Sequence, residues 1–264
     1  MTSSAVRDGA VSGTEPGRSV LGRALAVLDT FSNERSEQTL GAICATTGLP
    51  SATAHRLVTE LVGWGALERV GRGRYRIGLR LWQLGSLAPE PRTLRDIALP
   101  FLHDLLEVTH EVAHLVVRDG EKALYLERLM ARPEVQVRSR VARRLPLHAP
   151  GPGKVLLAHA PNDVVERVLA GPLTRLARNT ITDRDALRDA LAGIRESGYC
   201  ISREEMTDGA SSVAAPVRGP NGDVVAAISV VVPADRRDLP ALVPAVRVAA
   251  AGISRGLRPR RRPS

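Results

Sequence analysis

The chain has 264 residues and a formal net charge of +9, and 44% of its residues are hydrophobic although only 3% are aromatic. This composition excludes a disordered chain and suits two domains whose cores consist of aliphatic side chains. Cys44 and Cys200 are too few and too far apart for a disulfide framework or a cysteine-based zinc site. No apolar run reaches the roughly 18 residues of a membrane span, and no signal peptide is recognisable, so we expect a cytoplasmic protein without a membrane partner.

Residues 18–78 have the pattern of a winged helix-turn-helix, after a polar lead-in over residues 1–17 that is expected to be disordered. Ser19 is a typical N-cap for a first helix, and a second helix over about 39–46 follows the polar break at 32–38. After a turn at Gly48, Pro50 or Ser51 opens a third helix with a predicted buried stripe of Ala54, Leu57, Val58 and Leu61. A glycine turn between two helices is typical of a motif that places its second helix in the major groove of DNA.

The next segment, LERVGRGRYRIG, alternates apolar and polar residues on both sides of Gly71-Arg72-Gly73, which predicts a hairpin wing. Arg76 is expected on the same face as the arginines at the tip. Nine arginines against five acidic residues between 18 and 86 favour a contact with nucleic acid. The residues expected to contact a double-stranded DNA operator are Ser51, Thr53, His55 and Arg56 on the helix and Arg72 and Arg74 on the wing. The alternative is that Thr53 and His55 are ordinary exposed helix residues.

Residues 79–91 are expected to form a linker helix that ends at Pro89 and Pro91, and residues 92–256 a second domain. Asp119-Gly120 between two β-rich runs predicts a hairpin. The other predicted elements are a helix up to Thr109 that Pro100 would kink, a strand over 135–141, helices from Lys154 and over 162–170, 183–197 and 239–256, and strands between 198 and 232. This mixture predicts an α+β sensor-like domain, followed by a basic tail over 257–264.

The sequence HEVAH satisfies the H-E-x-x-H pattern of zinc hydrolases with His110, Glu111 and His114. That chemistry needs both histidines on one helical face, about 6 Å apart. Here the preceding helix ends near Thr109 and a strand begins near Val112, so residues four apart are separated by about 13 Å. A zinc hydrolase is the alternative from another functional class, and no metal or other cofactor is predicted. A functional His114 is expected to line a cavity or an interface.

The stretch APGPGKVLLA contains the Gly-Lys of a phosphate-binding loop, but His148 and Val155 occupy positions that the motif reserves for Gly and for Ser or Thr. The sequence instead predicts a glycine-rich loop at a helix N-terminus, where the amides of Gly151 and Gly153 could receive a carboxylate. Glu204 and Glu205 are neighbours on a predicted strand and would point to opposite faces, so both are expected to be surface carboxylates.

The chain resembles the IclR family of bacterial transcription regulators from Ser19 to about Arg255. Gly198, Ser202, Glu205 and Ser212-Val213-Ala214 fall at the spacing of the family's C-terminal signature. The stretches that carry the rest of the resemblance are SVLGRALAVLDTF, LPSATAHRL, GRYRIGLRLWQLG, AHLVVRDGEKALYLER, VRSRVARRLPLHA, GKVLLA and TITDRDALRDALAGIRESGY.

This resemblance implies an N-terminal winged helix-turn-helix and a C-terminal GAF-like α/β effector-binding domain, assembled as a homodimer or a dimer of dimers. It implies a repressor whose operator affinity responds to a small-molecule effector, often carboxylate-bearing or aromatic. The effector-binding residues that it implies are Gly151, Gly153, Ser202, Ser212 and Ser229. The alternative for the three serines is that they are ordinary strand hydroxyls.

The chain departs from the family at several positions, where Ser51-Ala52 replaces a common Lys-Ser and Val231-Val232 a common Ser-Gly. Pro150 and Pro152 remove two amide donors from the ligand loop, and Ser212 stands where Cys is common. We expect a pocket with an apolar part, more apolar than one for glyoxylate or a short keto acid. A pocket that the valines fill, and that no longer binds a ligand, is the alternative.

Overall fold

Local sequence signals set the ends of most elements in the computed structural model, which describes residues 19–32, 35–87, 89–130, 144–236 and 238–258. The described chain separates into one unit that ends at Leu87 and another that begins at Ala88. The predicted disordered lead-in, the strand over 135–141 and the tail beyond 258 lie outside the described residues.

The first unit has three helices followed by a hairpin and a short fourth helix, as in a winged helix-turn-helix. The Ser19 hydroxyl accepts a hydrogen bond from the Gly22 amide at 2.9 Å and caps the first helix. Gly48 ends the second helix with φ 70° and Gly65 ends the third with φ 85°, a conformation that favours glycine. The elements are α1 (Val20–Asp29), β1 (Glu37–Thr39), α2 (Leu40–Thr47), α3 (Ser51–Trp64), β2 (Leu67–Val70), β3 (Arg74–Ile77) and α4 (Leu79–Gly85).

Strand β1 corrects the prediction of a plain polar break at 32–38. It pairs with β3, so the sheet has the order β1-β3-β2. Gln38 is buried opposite Tyr75, and its amide nitrogen donates to the Thr30 hydroxyl at 2.8 Å. The buried position of β1 is thus held by a polar residue whose hydrogen bond is satisfied. For this reason the sequence shows no alternation of apolar and polar residues from which the strand could be predicted.

The core of the first unit is aliphatic apart from one ring. It contains Val27, Ile43, Leu57, Val58, Leu67 and Tyr75. Ala54 is also fully buried, and Leu61 packs against this core, which confirms the predicted inward stripe of α3.

The linker helix is shorter than expected. Helix α4 ends at Gly85, and Pro89 and Pro91 lie in the first turn of the next helix, not at the end of the linker. Proline fits the first turn because the amides there have no partner within the helix.

The second unit consists of one six-stranded sheet and its helices. Its elements are α5 (Pro89–Thr109), β4 (Val112–Asp119), β5 (Lys122–Leu129), β6 (Arg144–Pro146), α6 (Gly151–Ala158), α7 (Asn162–Ala170), α8 (Arg184–Ser197), β7 (Cys200–Arg203), β8 (Ala210–Arg218), β9 (Val224–Pro233), a 3-10 helix (Pro240–Leu242) and α9 (Val243–Gly256). The predicted helix from Lys154 thus begins three residues earlier, at Gly151. The predicted cap of α8 is confirmed, because the Asp183 carboxylate accepts from the Ala186 amide at 2.8 Å.

The sheet is antiparallel throughout, with the order β6-β5-β4-β9-β8-β7. Asp119-Gly120 forms the turn of the β4–β5 hairpin, as predicted, with Gly120 at φ 59°. At the centre of the sheet β4 pairs with β9, which places His114 opposite Ser229.

Helices cover both faces of this sheet, and each face has its own apolar core. On one face α5 and α9 pack against residues such as Leu115 and Ile228. On the other, α6, α7 and α8 pack against residues such as Tyr125 and Ala214. No helix within the described residues is both long and apolar enough to cross a membrane.

Candidate functional site

Helix α3 presents its polar face to solvent. Ser51, His55 and Arg56 are exposed and Thr53 is half-buried, while the apolar stripe faces the core. Within the described chain, the Arg56 guanidinium makes no hydrogen bond or ion pair. Four of the predicted DNA-contact residues therefore lie within six positions on one helix, and one of them, Arg56, carries a guanidinium group that is unpaired in the described part of the chain.

The wing arginines differ in whether a carboxylate already engages their guanidinium groups. Arg72 and Gly73 form the turn with φ 59° and 72°, and Arg72 is exposed. Arg74 is exposed but lies 3.5 Å from the Glu37 carboxylate. Arg76 donates to Glu68 at 2.8 and 2.9 Å and braces the hairpin. Arg72 is thus the wing arginine most open to a phosphate.

The HEVAH stretch does not lie on a helix. As predicted, α5 ends at Thr109 and β4 begins at Val112, with His110 exposed at φ 56° between them. Glu111 accepts a bond from Arg236 at 3.1 Å, and His114 is buried in the sheet. The described part of the chain contains no cluster of His, Cys, Asp or Glu that could hold a metal ion. The zinc hydrolase alternative is not supported.

A small cavity lies between α6 and the sheet in the second unit. Its volume is about 40 Å³, somewhat more than the roughly 30 Å³ that one water molecule occupies in the liquid. Its walls consist of His114, Tyr125, Pro150, Gly151, Pro152, Ser202, Met206, Thr207, Ala210, Ser211, Ser212, Ser229 and Val231.

Four of the five predicted effector residues meet in this wall: Gly151, Ser202, Ser212 and Ser229. A Cβ atom on Gly151 would lie 2.7 Å from the Ser212 hydroxyl, so the glycine permits the close approach of α6 to the sheet. Gly153 is not among the residues that line the cavity. It packs against the backbone of Leu147, since a Cβ atom on Gly153 would lie 2.7 Å from the Leu147 carbonyl oxygen.

The aromatic part of the wall comes from the hairpin. His114 lines the cavity, as expected for a functional histidine at this position, and its ring packs edge-on against Tyr125 with 5.1 Å between centroids. The Ser229 hydroxyl lies 3.5 Å from His114 Nδ1. Tyr125 was not predicted as a site residue, although its place in the alternation of β5 was an available signal.

The cavity wall combines hydroxyl groups with apolar side chains, and no charged side chain is among the residues described there. Burial, aided by the positive charge of Arg128, lowers the pKa of His114 from 6.5 to about 3, so the imidazole is neutral at neutral pH. Burial also raises the pKa of the Tyr125 phenol. The site therefore offers neutral donors and acceptors to a ligand.

The buried His114 should make the stability of the second unit depend on pH. Because the folded pKa is depressed, the unfolded chain takes up a proton first, and stability falls as the pH drops from 6.5 towards 3. The expected slope is about 1.4 kcal/mol per pH unit for this group. The free energy of unfolding, measured by urea titration and circular dichroism between pH 6 and 5, should depend less steeply on pH in His114→Asn than in the wild type. His103→Asn, on the exposed face of α5, is the matched control, and equal slopes for wild type and His114→Asn would contradict the assignment.

A buried ion pair supports the cavity from outside its wall. The Lys154 ammonium contacts Glu205 Oε1, and the Ser202 hydroxyl donates to the same oxygen at 2.9 Å. Glu205 was expected at the surface, but it is buried. The reason is that β7 ends at Arg203 and the backbone turns at Glu204 with φ 53°, which breaks the strand alternation. Glu204 instead accepts the Gly209 amide at 2.8 Å.

Comparison with known proteins agrees with this architecture. Residues 20–71 match the model of the IclR helix-turn-helix domain, and residues 90–255 match that of the bacterial transcriptional regulator IclR C-terminal domain. The HTH-type transcriptional regulator BhcR of Paracoccus denitrificans is 34% identical over 246 residues, which cover 91% of this chain and 88% of BhcR. The regulator XynR of Escherichia coli is 34% identical over 209 residues, 78% of this chain and 83% of XynR.

A solved structure extends the likeness to three dimensions. The IclR homolog from Microbacterium hydrocarbonoxydans complexed with 4-hydroxybenzoate superposes with a TM-score of 0.86 at 40% identity, covering 90% of this chain and 99% of that one. With both domains matched in order, the chain belongs to the IclR family of bacterial transcriptional regulators.

Proposed function

We propose that this family member is an effector-responsive repressor. The observation that carries the proposal is the uncharged cavity in the second unit, whose wall combines hydroxyl groups with apolar side chains, in a chain that also exposes a recognition helix and a wing. The HTH-type repressor AllR of Klebsiella pneumoniae, 30% identical over 224 residues, supports repression as the output. A small effector would alter the affinity of the first unit for double-stranded DNA.

We propose that the effector is a one-ring carboxylate with an apolar part. The rings of Tyr125 and His114 and the side chains of Met206 and Val231 offer an apolar slot, and the Ser212 hydroxyl offers a donor. The relative of known structure was crystallised with 4-hydroxybenzoate, a ligand of this class. A six-membered ring needs more room than this cavity offers, so binding would widen it.

Calorimetry tests the ligand class. We expect 4-hydroxybenzoate to bind wild-type protein and glyoxylate to give no measurable heat, because the slot offers a two-carbon acid few contacts. Gly151→Ala should weaken 4-hydroxybenzoate binding at least tenfold, about 1.4 kcal/mol, since the new methyl group would meet the Ser212 hydroxyl. Gly193→Ala is the matched control, because nothing lies within 4 Å of its Cβ position.

Two results would count against this ligand class. Tight binding of glyoxylate would show that the pocket favours small acids. Heat from neither ligand, together with an unchanged melting temperature, would favour a filled pocket that binds no effector.

We propose that the protein acts as a homodimer or a dimer of dimers. On α4, Leu79 and Trp82 lie three residues apart on one helical face with 61% and 68% of their surface exposed, and Leu21 on α1 is 68% exposed. Apolar surface of this kind marks an interaction site, and a second copy of the same chain is the usual partner.

Sedimentation velocity tests this interface. Trp82→Arg places a charge in the apolar face and should weaken self-association at least tenfold. Gln83→Arg adds the same charge to the next residue of α4 and should leave the assembly unchanged. A wild-type protein that sediments as a monomer at micromolar concentration would refute the proposal.

A further inference from the structure

A groove on the second unit, away from the cavity wall, collects positive charge. It lies between α9 and β8 and has a volume of about 420 Å³. Four of its lining residues are arginines, Arg218, Arg247, Arg255 and Arg258, and none of the described lining residues is acidic. The rest of the lining is small or compact: Gly198, Ala215, Pro216, Ala250, Ala251 and Ser254.

The guanidinium groups of this groove are not neutralised. Arg247, Arg255 and Arg258 are exposed, and their guanidinium groups make no hydrogen bond or ion pair within the described residues. By contrast, Arg95 and Arg236 in the same unit each contact a carboxylate. Uncompensated arginines on one surface attract an anion that brings several charges at once.

The groove is a fixed surface. The Arg218 amide donates to the Ser254 hydroxyl at 2.8 Å, which joins β8 to the last turns of α9. The Arg218 guanidinium donates to the Gly222 carbonyl at 2.9 Å, which holds that side chain in place. The backbone of the groove is therefore fixed, and Arg218 needs little ordering when an anion binds.

The spacing of the arginines fits the regular spacing of phosphates along a nucleic acid. Arg247 and Arg255 are eight residues apart on α9, which corresponds to about 12 Å along the helix axis. A DNA strand places one phosphate about every 3.4 Å along the duplex axis, so this distance spans three to four phosphates. The small residues of the floor leave room for a backbone to approach the guanidinium groups.

We propose that this groove is a second anion-binding site, which binds phosphates of duplex DNA outside the operator contacts of the first unit. This goes beyond the proposed function, in which only α3 and the wing contact DNA. The sequence after the groove continues with Arg260, Arg261 and Arg262, which adds charge of the same sign. DNA is the polyanion that a transcription regulator of this family meets.

Salt-dependent binding tests the proposal. The probe is a fluorescein-labelled 30-base-pair duplex of random sequence, and anisotropy titrations of the full chain are made between 50 and 200 mM KCl. Each phosphate contact contributes about 0.9 to the slope of log affinity against log salt. Arg247→Gln/Arg255→Gln should therefore lower the slope by about 1.8 and weaken binding most at low salt. The ratio of wild-type to variant affinity should shrink about tenfold from 50 to 200 mM.

The matched control removes the same charge elsewhere. Arg184→Gln/Arg203→Gln alters two exposed arginines of the second unit that do not line the groove, and it should keep the wild-type slope. Far-UV circular dichroism and melting temperatures confirm that both double variants fold.

The outcomes separate this proposal from the proposed function. If Arg72→Gln lowers the slope and the groove variant does not, the wing binds DNA and the groove proposal is wrong. Equal losses in the groove and control variants would also overturn it, because they would show an effect of net charge alone. A wild-type protein that fails to bind the duplex at 50 mM would overturn both proposals.

Discussion

Arg56→Ala should weaken operator binding by one to two orders of magnitude without unfolding the protein. Arg56 is exposed on α3, and within the described residues its guanidinium has no partner, so it is available to a base edge. A well-placed bidentate contact contributes about 1 to 3 kcal/mol of discrimination. An operator selected from a random pool provides the DNA, and gel-shift titration gives the affinity.

Arg72→Ala should act differently on the same operator. A wing arginine that contacts the backbone carries no sequence information, so its loss should weaken all DNA sequences alike and lower the salt slope by about 0.9. Arg76→Ala is the control for the salt slope, because Glu68 already neutralises that side chain, and its melting temperature shows whether loss of this brace disturbs the hairpin. Unchanged affinity for both Arg56→Ala and Arg72→Ala would remove the first unit from the DNA-contact surface.

Lys154→Met should destabilise the second unit by about 3 to 5 kcal/mol, because it leaves the buried Glu205 carboxylate without its cation. The Lys154 and Glu205 side chains are only 3% and 10% exposed, so water cannot replace the lost partner. Arg188→Met is the matched control, since its pair with Glu166 is more than half exposed and should change stability by less than about 1 kcal/mol.

The two tryptophans make this measurement specific. Trp64 and Trp82 both lie in the first unit, so their fluorescence reports its unfolding, whereas circular dichroism reports both units. In urea, Lys154→Met should lower the midpoint seen by circular dichroism and leave the fluorescence midpoint in place. Lys154→Met/Glu205→Leu should recover at least half of the loss. A single variant as stable as wild type would show that the pair contributes nothing to the fold.

Features that depend on neighbouring residues could be predicted from the sequence. Gly48 and Gly120 adopt the positive φ that their turns require, and Asp183 caps α8, because these signals act within a few residues. The end of α5 before the second half of HEVAH was predictable for the same reason. These local elements sufficed to exclude a helical zinc site.

The cavity wall could be predicted only in part, because its members come from distant segments. The resemblance to the family supplied Gly151, Ser202 and Ser212, but Tyr125 joins them only through the hairpin and the sheet. Glu205 was misplaced because a single residue with positive φ, Glu204, reverses the direction in which the next side chain points. β1 escaped detection because three residues cannot show an alternation.

The pairing of β4 with β9 has a consequence for the order in which the protein becomes functional. His114 and Ser229 are paired across 115 residues of sequence, so the central strands meet only after nearly the whole chain has been made. Contacts of such long range form slowly, and domains fold as units during synthesis from the N-terminus. The first unit is complete at Leu87 and can fold on the ribosome long before the sensor exists. A chain truncated before Val224 would therefore keep its recognition helix but lose the central strand pair of the sheet in the second unit. Its DNA binding would no longer respond to a small-molecule effector.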